Sequence, residues 1–111
     1  MRARFQGPGG DSFARLLVDT GAQFTMVNES IANEIGLERT GARTVYGVSG
    51  ATRIGLAEVP QLDCIGLTRR SFRIGLHSLP PALGIDGLLG LDFFRDTRLT
   101  LDFKNRLLTV V

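Results

Sequence analysis

Apolar positions along the chain fall into short runs and two-residue alternations broken by glycine, a pattern that predicts strands far more than helices. Residues 2–5 alternate weakly, and Gly7-Pro8-Gly9-Gly10-Asp11 has the composition of a turn. Residues 12–18 return as a second strand, so the chain opens on a hairpin. That strand ends abruptly: Leu16-Leu17-Val18 is continuously apolar, and Asp19-Thr20-Gly21-Ala22 follows at once. A further short strand is predicted over residues 24–27. Asn28 then suits a helix N-cap, with Glu29 in the first turn, Ile31, Ala32 and Ile35 on one face, and Gly36 just past the end. These positions predict one amphipathic helix of about eight residues.

Residues 43–59 have the pattern of a long hairpin. Thr44, Val45, Tyr46 and Val48 lead in, Gly47 and Ser49-Gly50 soften the tip, and residues 52–59 lead out. Such a tip bends without breaking the ladder of its arms. Two more strands are predicted over residues 61–65 and 71–76, joined through 66–70, with His77 half-exposed at the end of the second. Asp86-Gly87 marks a turn, and Leu88-Leu89 is an apolar plug between Gly87 and Gly90, which implies close backbone approach on both sides. Residues 91–95 predict a helical turn, and residues 99–103 and 107–111 a last hairpin around 104–106. Its final strand is apolar with no element after it, an edge that invites another chain. The fold class is all-β with two short helices, one after the Asp19 strand and one toward the C-terminal end.

At 111 residues the chain, 1–111, is read as one domain, able to bury about two-thirds of its unfolded surface. Thirteen basic residues against eleven acidic ones leave a net charge of +2, and the basic residues are scattered, which argues for a solvated surface and against a nucleic-acid face. Cys64 and His77 each stand alone, so neither an intrachain disulfide nor a zinc site is expected, and no cofactor is implied. No apolar run approaches the roughly 20 residues of a membrane span, and the first residues do not form a signal peptide. As written the chain is expected to be cytoplasmic, with a periplasmic or membrane-anchored location open if its N-terminus was truncated.

The chemistry concentrates at Asp19. A carboxylate at the end of a buried strand is costly unless compensated. Gly21 offers a backbone conformation closed to residues with a Cβ and lets main-chain N–H groups come close to the acid. The arrangement suits an acid that is fixed and reachable, provided the rest of the chain builds its surroundings.

A strand ending Leu-Leu-Val-Asp19-Thr20-Gly21-Ala22, a helix, a glycine-tipped hairpin, then Leu88-Leu89-Gly90 and a short helix resembles a retropepsin, the single-domain aspartic protease of retroviral type. Gly-Leu-Leu-Gly-Leu-Asp-Phe-Phe followed by Leu-Thr-Leu-Asp-Phe is most similar to the bacterial branch. The likeness runs from about residue 12 to 111. It implies a closed, barrel-like acid-protease fold, an aspartic endopeptidase activity and an obligate homodimer. The chemistry asks for the same partner independently. Peptide hydrolysis by carboxylates needs two acids sharing one proton, one to activate water and one to polarise the carbonyl. The chain holds a single Asp-Thr-Gly, and Asp86, Asp92, Asp96 and Asp102 stand in unrelated contexts. The second acid is therefore expected to be the partner's Asp19, across a two-fold axis.

By the same resemblance, Thr20 would hydrogen-bond across that axis and Gly21 would offer its carbonyl to the substrate backbone. Ala22 stands where two-domain pepsins usually carry Ser, which implies an optimum less shifted toward acid. Val48, Ser49 and Gly50 match the flap that closes over bound peptide. With Ala22, Gln23 and Ile85 they are the substrate-binding candidates, and Ile54 and Leu83 are further apolar pocket candidates. Gln23 and Leu91 depart from viral members, which usually carry an acid and an Arg there, so apolar and strand contacts are expected to hold the dimer. Viral dimers also interleave both chain ends; residues 107–111 suit that role better than the start, with its Arg2 and Arg4. The alternative is a non-catalytic peptide-binding or dimerisation module on the same fold, against which the intact Asp-Thr-Gly argues.

Overall fold

The computed structural model describes residues 1–47 and 50–111. The opening hairpin forms from β1 (Arg2–Gly7) and β2 (Gly10–Val18), paired antiparallel from Arg2 opposite Arg15 to Gly7 opposite Gly10. Alternation then decides burial: Ala3 and Phe5, Ala14 and Leu16 face inward, and the residues between them face out. Next come β3 (Met26–Val27), a helix α1 (Glu29–Glu34), and β4 (Gly41–Gly47) with β5 (Gly50–Cys64). They are followed by β6 (Leu67–Leu76) and the three-residue β7 (Gly87–Leu89).

The far edge of β1 pairs with β5, so the order β1-β2-β7-β3-β6-β5 returns on itself as a closed six-stranded barrel. Closure leaves no free edge in the ring. Among the described residues β4 pairs with β5 alone and extends the sheet beyond the ring. The core holds Phe5, Leu16, Val27, Ile35, Leu62, Ile74, Leu89 and Phe93, each worth about 1.5–3 kcal/mol when fully buried. Phe93 meets both Phe72 and Phe94 edge-on, with centroids 5.9 and 5.4 Å apart.

Three predicted boundaries move. The strand predicted over 61–65 continues the hairpin arm, and β5 runs unbroken for 15 residues. Pro60, which has no N–H to give, sits exposed where the register passes from Val59–Phe72 to Gln61–Arg70, and Ser71 opposite it takes φ 49°. The loop predicted over 66–70 shrinks to Ile65-Gly66, both at positive φ (53° and 73°), a two-residue turn whose twist suits the flanking strands. The strand predicted over 24–27 keeps only Met26–Val27.

Helix α1 covers part of the barrel through Ile31, Ala32 and, just past its end, Ile35, all buried. It is six residues long, and Gly36 at φ 73° ends it as predicted. The helix predicted near the C-terminal end is one 3-10 turn, Leu91–Phe94. β8 (Leu99–Asp102) and β9 (Leu107–Val110) then form a separate two-stranded sheet. Leu99 and Val110 pack against the core, while other apolar residues on and beside the sheet are uncovered: Leu101 is 47% exposed, Phe103 86%, Leu107 59% and Val111 83%. Among the described residues no helix is long and apolar enough to cross a membrane.

Candidate active site

β2 runs parallel to β7, with Leu16 opposite Gly87, Leu17 opposite Leu88 and Val18 opposite Leu89. The ladder continues one residue further, where the Asp19 N–H donates to the Leu89 carbonyl at 3.0 Å. Asp19 is thereby delivered to the end of the barrel, half-buried. Its Oδ1 accepts from the Gly21 N–H at 3.0 Å, and the Ala22 N–H donates to its carbonyl at 3.1 Å, closing the turn. Thr20, between them, faces outward and is exposed. Gly21 departs from its sequence reading in one respect, since its backbone is not in the left-handed region. What favours glycine there is proximity: a Cβ would stand 3.3 Å from Asp19 Oδ1, a tight contact on the carboxylate.

Behind this loop lies a buried polar relay. The Gly90 N–H donates to Thr25 Oγ1 at 3.1 Å, and Thr25 donates from both its N–H (2.9 Å) and its hydroxyl (2.8 Å) to Asp92 Oδ1. Leu91 N–H closes the loop from the other side, donating to the Ala22 carbonyl at 2.8 Å. The close approach predicted around the Leu88-Leu89 plug is realised: a Cβ on Gly90 would fall 2.5 Å from the Phe24 carbonyl carbon, and one on Gly87 2.4 Å from the Met26 oxygen.

Asp92 and Asp86 are the residues that sequence reasoning passed over. Asp92 anchors Thr25, and Asp86 exchanges two bonds with the Arg15 backbone, Oδ2 accepting from the N–H and its own N–H donating to the carbonyl, both at 2.8 Å. The signal was present for Asp92. An acid inside Gly-Leu-Asp-Phe-Phe must find donors or pay for its desolvation.

Asp19 opens on a cleft of about 560 Å³. Gly21, Ala22 and Gln23 line it from the loop, and Phe24, Met26 and Leu88 complete the floor. The opposite wall is the first arm of the long hairpin, Arg43 to Tyr46 on β4. The Arg43 guanidinium carbon lies 4.1 Å from the centroid of the Phe24 ring, a cation–π distance. Of the predicted substrate contacts, Ala22 and Gln23 lie in this cleft beside Asp19. Val48 and Ser49 are outside the described residues, and Gly50 is exposed at φ 118° opposite Gly47. Ile85 is half-buried just before β7, and Leu83 is 58% exposed on the Pro81–Leu83 turn. Ile54 is buried, with its Cδ1 where a Cβ on Gly75 would be 2.7 Å away. None of these last three lines the cleft. Arg43 and Phe24 were not among the candidates. Among the described residues no group of three or more His, Cys, Asp or Glu could hold a metal ion.

A half-buried aspartate fixed at the end of a barrel strand, over a cleft walled by a hairpin, is the site of an acid protease fold. The aspartyl protease family model matches residues 2–93, and the chain belongs to that family. Solved structures place the fold among the retropepsins. The chain is similar to the EIAV protease complexed with the inhibitor HBY-793 (19% identity, TM-score 0.64, covering 86% of this chain and 84% of that one). It is also similar to the retroviral protease-like domain of Ddi1 from Leishmania major (18%, 0.62, 98% and 84%). A third likeness is to a retropepsin-like aspartic protease from Rickettsia conorii (15%, 0.64, 92% and 74%). No curated protein matches the chain in sequence.

Proposed function

We propose that the chain is an aspartic endopeptidase that works as a homodimer, with Asp19 and the partner's Asp19 sharing one proton over a water molecule. The observation that carries this reading is the setting of Asp19, pinned by the Gly21 N–H and the Leu89 carbonyl and open to a peptide-sized cleft. The ionised carboxylate takes a proton from water as its oxygen adds to the scissile carbonyl carbon. The protonated acid gives its proton to the carbonyl oxygen. The resulting diol then collapses, the amine nitrogen is protonated and the C–N bond breaks. Two acids that close do not both ionise, which keeps the single proton in place.

Two features support the second copy. Thr20 is exposed on the outer surface of the loop, where it would bond across the two-fold axis. The β8–β9 sheet leaves Phe103, Leu107 and Val111 uncovered. β1 is occupied on both edges by β2 and β5, so this reading gives the dimer contact to β8 and β9 without the initial strand, unlike the interleaved ends of viral dimers. Asp19, Thr20 and Gly21 form the catalytic loop. A peptide lying extended between β4 and the floor gains main-chain hydrogen bonds as an added strand, and the hairpin of β4 and β5 closes over it as a flap.

The test is sedimentation across a dilution series, with cleavage of a mixed peptide library measured at each concentration. Activity is expected to follow the dimer fraction, to be blocked by pepstatin, and to fall about 10²–10⁴-fold in Asp19→Asn. A monomer that still cuts peptide, or cleavage that survives Asp19→Asn, would overturn the reading. Saturable peptide binding without cleavage would assign the cleft to a binding module.

A further inference from the structure

Two arginines four positions apart near the start of the hairpin meet different fates. Arg39 is neutralised, its Nη2 lying 2.6 Å from Glu29 Oε1. Arg43 has no carboxylate within ion-pair range among the described residues. It is exposed, it lines the Asp19 cleft, and apart from Asp19 it is the one charged residue among the described residues that does. Its guanidinium carbon lies over the Phe24 ring, 4.1 Å from the centroid. A guanidinium held over a ring keeps N–H donors for a planar acceptor. Phe24 leads directly into Thr25, whose N–H and hydroxyl are both held by Asp92. The cation is therefore held in advance of binding, which lowers the ordering cost of any anion it receives.

The electrostatics of the cleft make this arrangement selective. With Asp19 alone, an acidic substrate side chain would be repelled over the few ångströms that separate neighbouring subsites. Arg43 reverses the sign on one wall, and Val45, Met26, Leu88 and Phe24 supply apolar surface in the same cleft. We propose that Arg43 is a specificity residue that receives a glutamate or aspartate side chain of the substrate, so that the preferred peptides pair an acidic residue with apolar ones in the same cleft. This deepens the endopeptidase reading and rests on the cleft being the peptide site. It names a substrate class that the apolar pocket candidates alone would not.

The experiment uses short peptides with a central Phe-Leu and one Glu walked along the other positions, each matched by a Gln and a Lys peptide. Cleavage is measured for the native chain, Arg43→Gln and Arg43→Glu, and binding by fluorescence anisotropy in an Asp19→Asn background. At one position Glu is expected to be favoured over Gln by about tenfold. That ratio should shrink with added salt, fall to near one in Arg43→Gln, and pass to Lys over Gln in Arg43→Glu. A merely structural latch between hairpin and floor would instead lower cleavage of the Glu and Gln peptides equally. Equal handling of the two by the native chain, or a ratio unmoved by both variants, would overturn the assignment. If the native chain cuts neither peptide, the endopeptidase reading falls and the Glu-to-Gln binding ratio still decides Arg43. Binding of neither overturns both.

Discussion

Replacing Asp92 removes the one atom that receives both donors of Thr25, the N–H at 2.9 Å and the hydroxyl at 2.8 Å. Thr25 is 0% exposed, so water does not take over. A buried donor left unpaired costs about 1–3 kcal/mol. The hydroxyl can rotate, but its oxygen is already engaged by the Gly90 N–H at 3.1 Å. The loss for Asp92→Ala is therefore about 2–4 kcal/mol, a large share of the roughly 5–15 kcal/mol that holds a domain together. Asparagine keeps an acceptor at the same place and exchanges a charge-assisted bond for a neutral one, costing about 1 kcal/mol. Asp96 is the control: exposed, at φ 62°, and replaceable by Asn, which tolerates that backbone. Asp96→Asn should stay within about 0.5 kcal/mol of the native chain. Urea unfolding followed by circular dichroism, at one fixed protein concentration, reads all three. With a slope of about 1–3 kcal/mol/M the alanine variant should lose on the order of 1–2 M in midpoint. An alanine variant as stable as Asp96→Asn would refute the relay, as would an asparagine variant no better than alanine.

Two further outcomes follow from titrating groups. The Thr68 hydroxyl at 2.6 Å holds the Asp63 carboxyl below its usual range; burial pushes the other way, and Gln61, Gln6 and the charge of Arg4 add to the lowering. A lowered folded value contributes stability above the unfolded value and loses it as pH falls through the folded one. Thr68→Val should thus cost up to about 1 kcal/mol near neutrality, kept small by solvent, and the gap should close as pH falls well below the ordinary carboxyl value of 3.8; a gap that persists in strong acid would contradict it. Burial pushes the Cys64 thiol up, opposed by the N-terminal charge. The folded chain then keeps a proton that the unfolded chain loses, so stability falls as pH rises past about 9, and less so in Cys64→Ala. Iodoacetamide should modify Cys64 in urea and spare it in the native chain; equal rates would refute its burial.

How much was legible in the chain depended on range. The first hairpin, the helix end at Gly36 and the glycine-bounded plug were readable because local composition and backbone requirement agree there. The long strand β5 was not, because Pro60 ordinarily interrupts a strand and only the partner's Ser71 position, taken up at φ 49°, accommodates it. The Ile65-Gly66 turn was hidden for a similar reason, since a β-branched residue is disfavoured at φ 53°, and Ile65 takes it while packing against the core. At the site, Asp19 and its motif were evident. Arg43 and Phe24 were not, because nothing within either segment says that β4 will lie over the loop.

Asp19 owes its position less to its own three-residue motif than to a strand about 70 residues later. β7 pairs parallel with β2, which enters the loop, and antiparallel with β3, which leaves it. Both ends of the loop are therefore hydrogen-bonded to the same three residues, Gly87–Leu89. That double pairing brings three backbones to one place, and it accounts for the absence of a Cβ at Gly87 and Gly90, where each would strike a main chain. It also explains why the acid at Asp92 is tolerated in an apolar run: two residues past Gly90, it accepts the donors that the crowded loop turns inward through Thr25. Such contacts are long-range and form only once the barrel closes. The carboxylate is thus held in this geometry only when the whole fold is assembled.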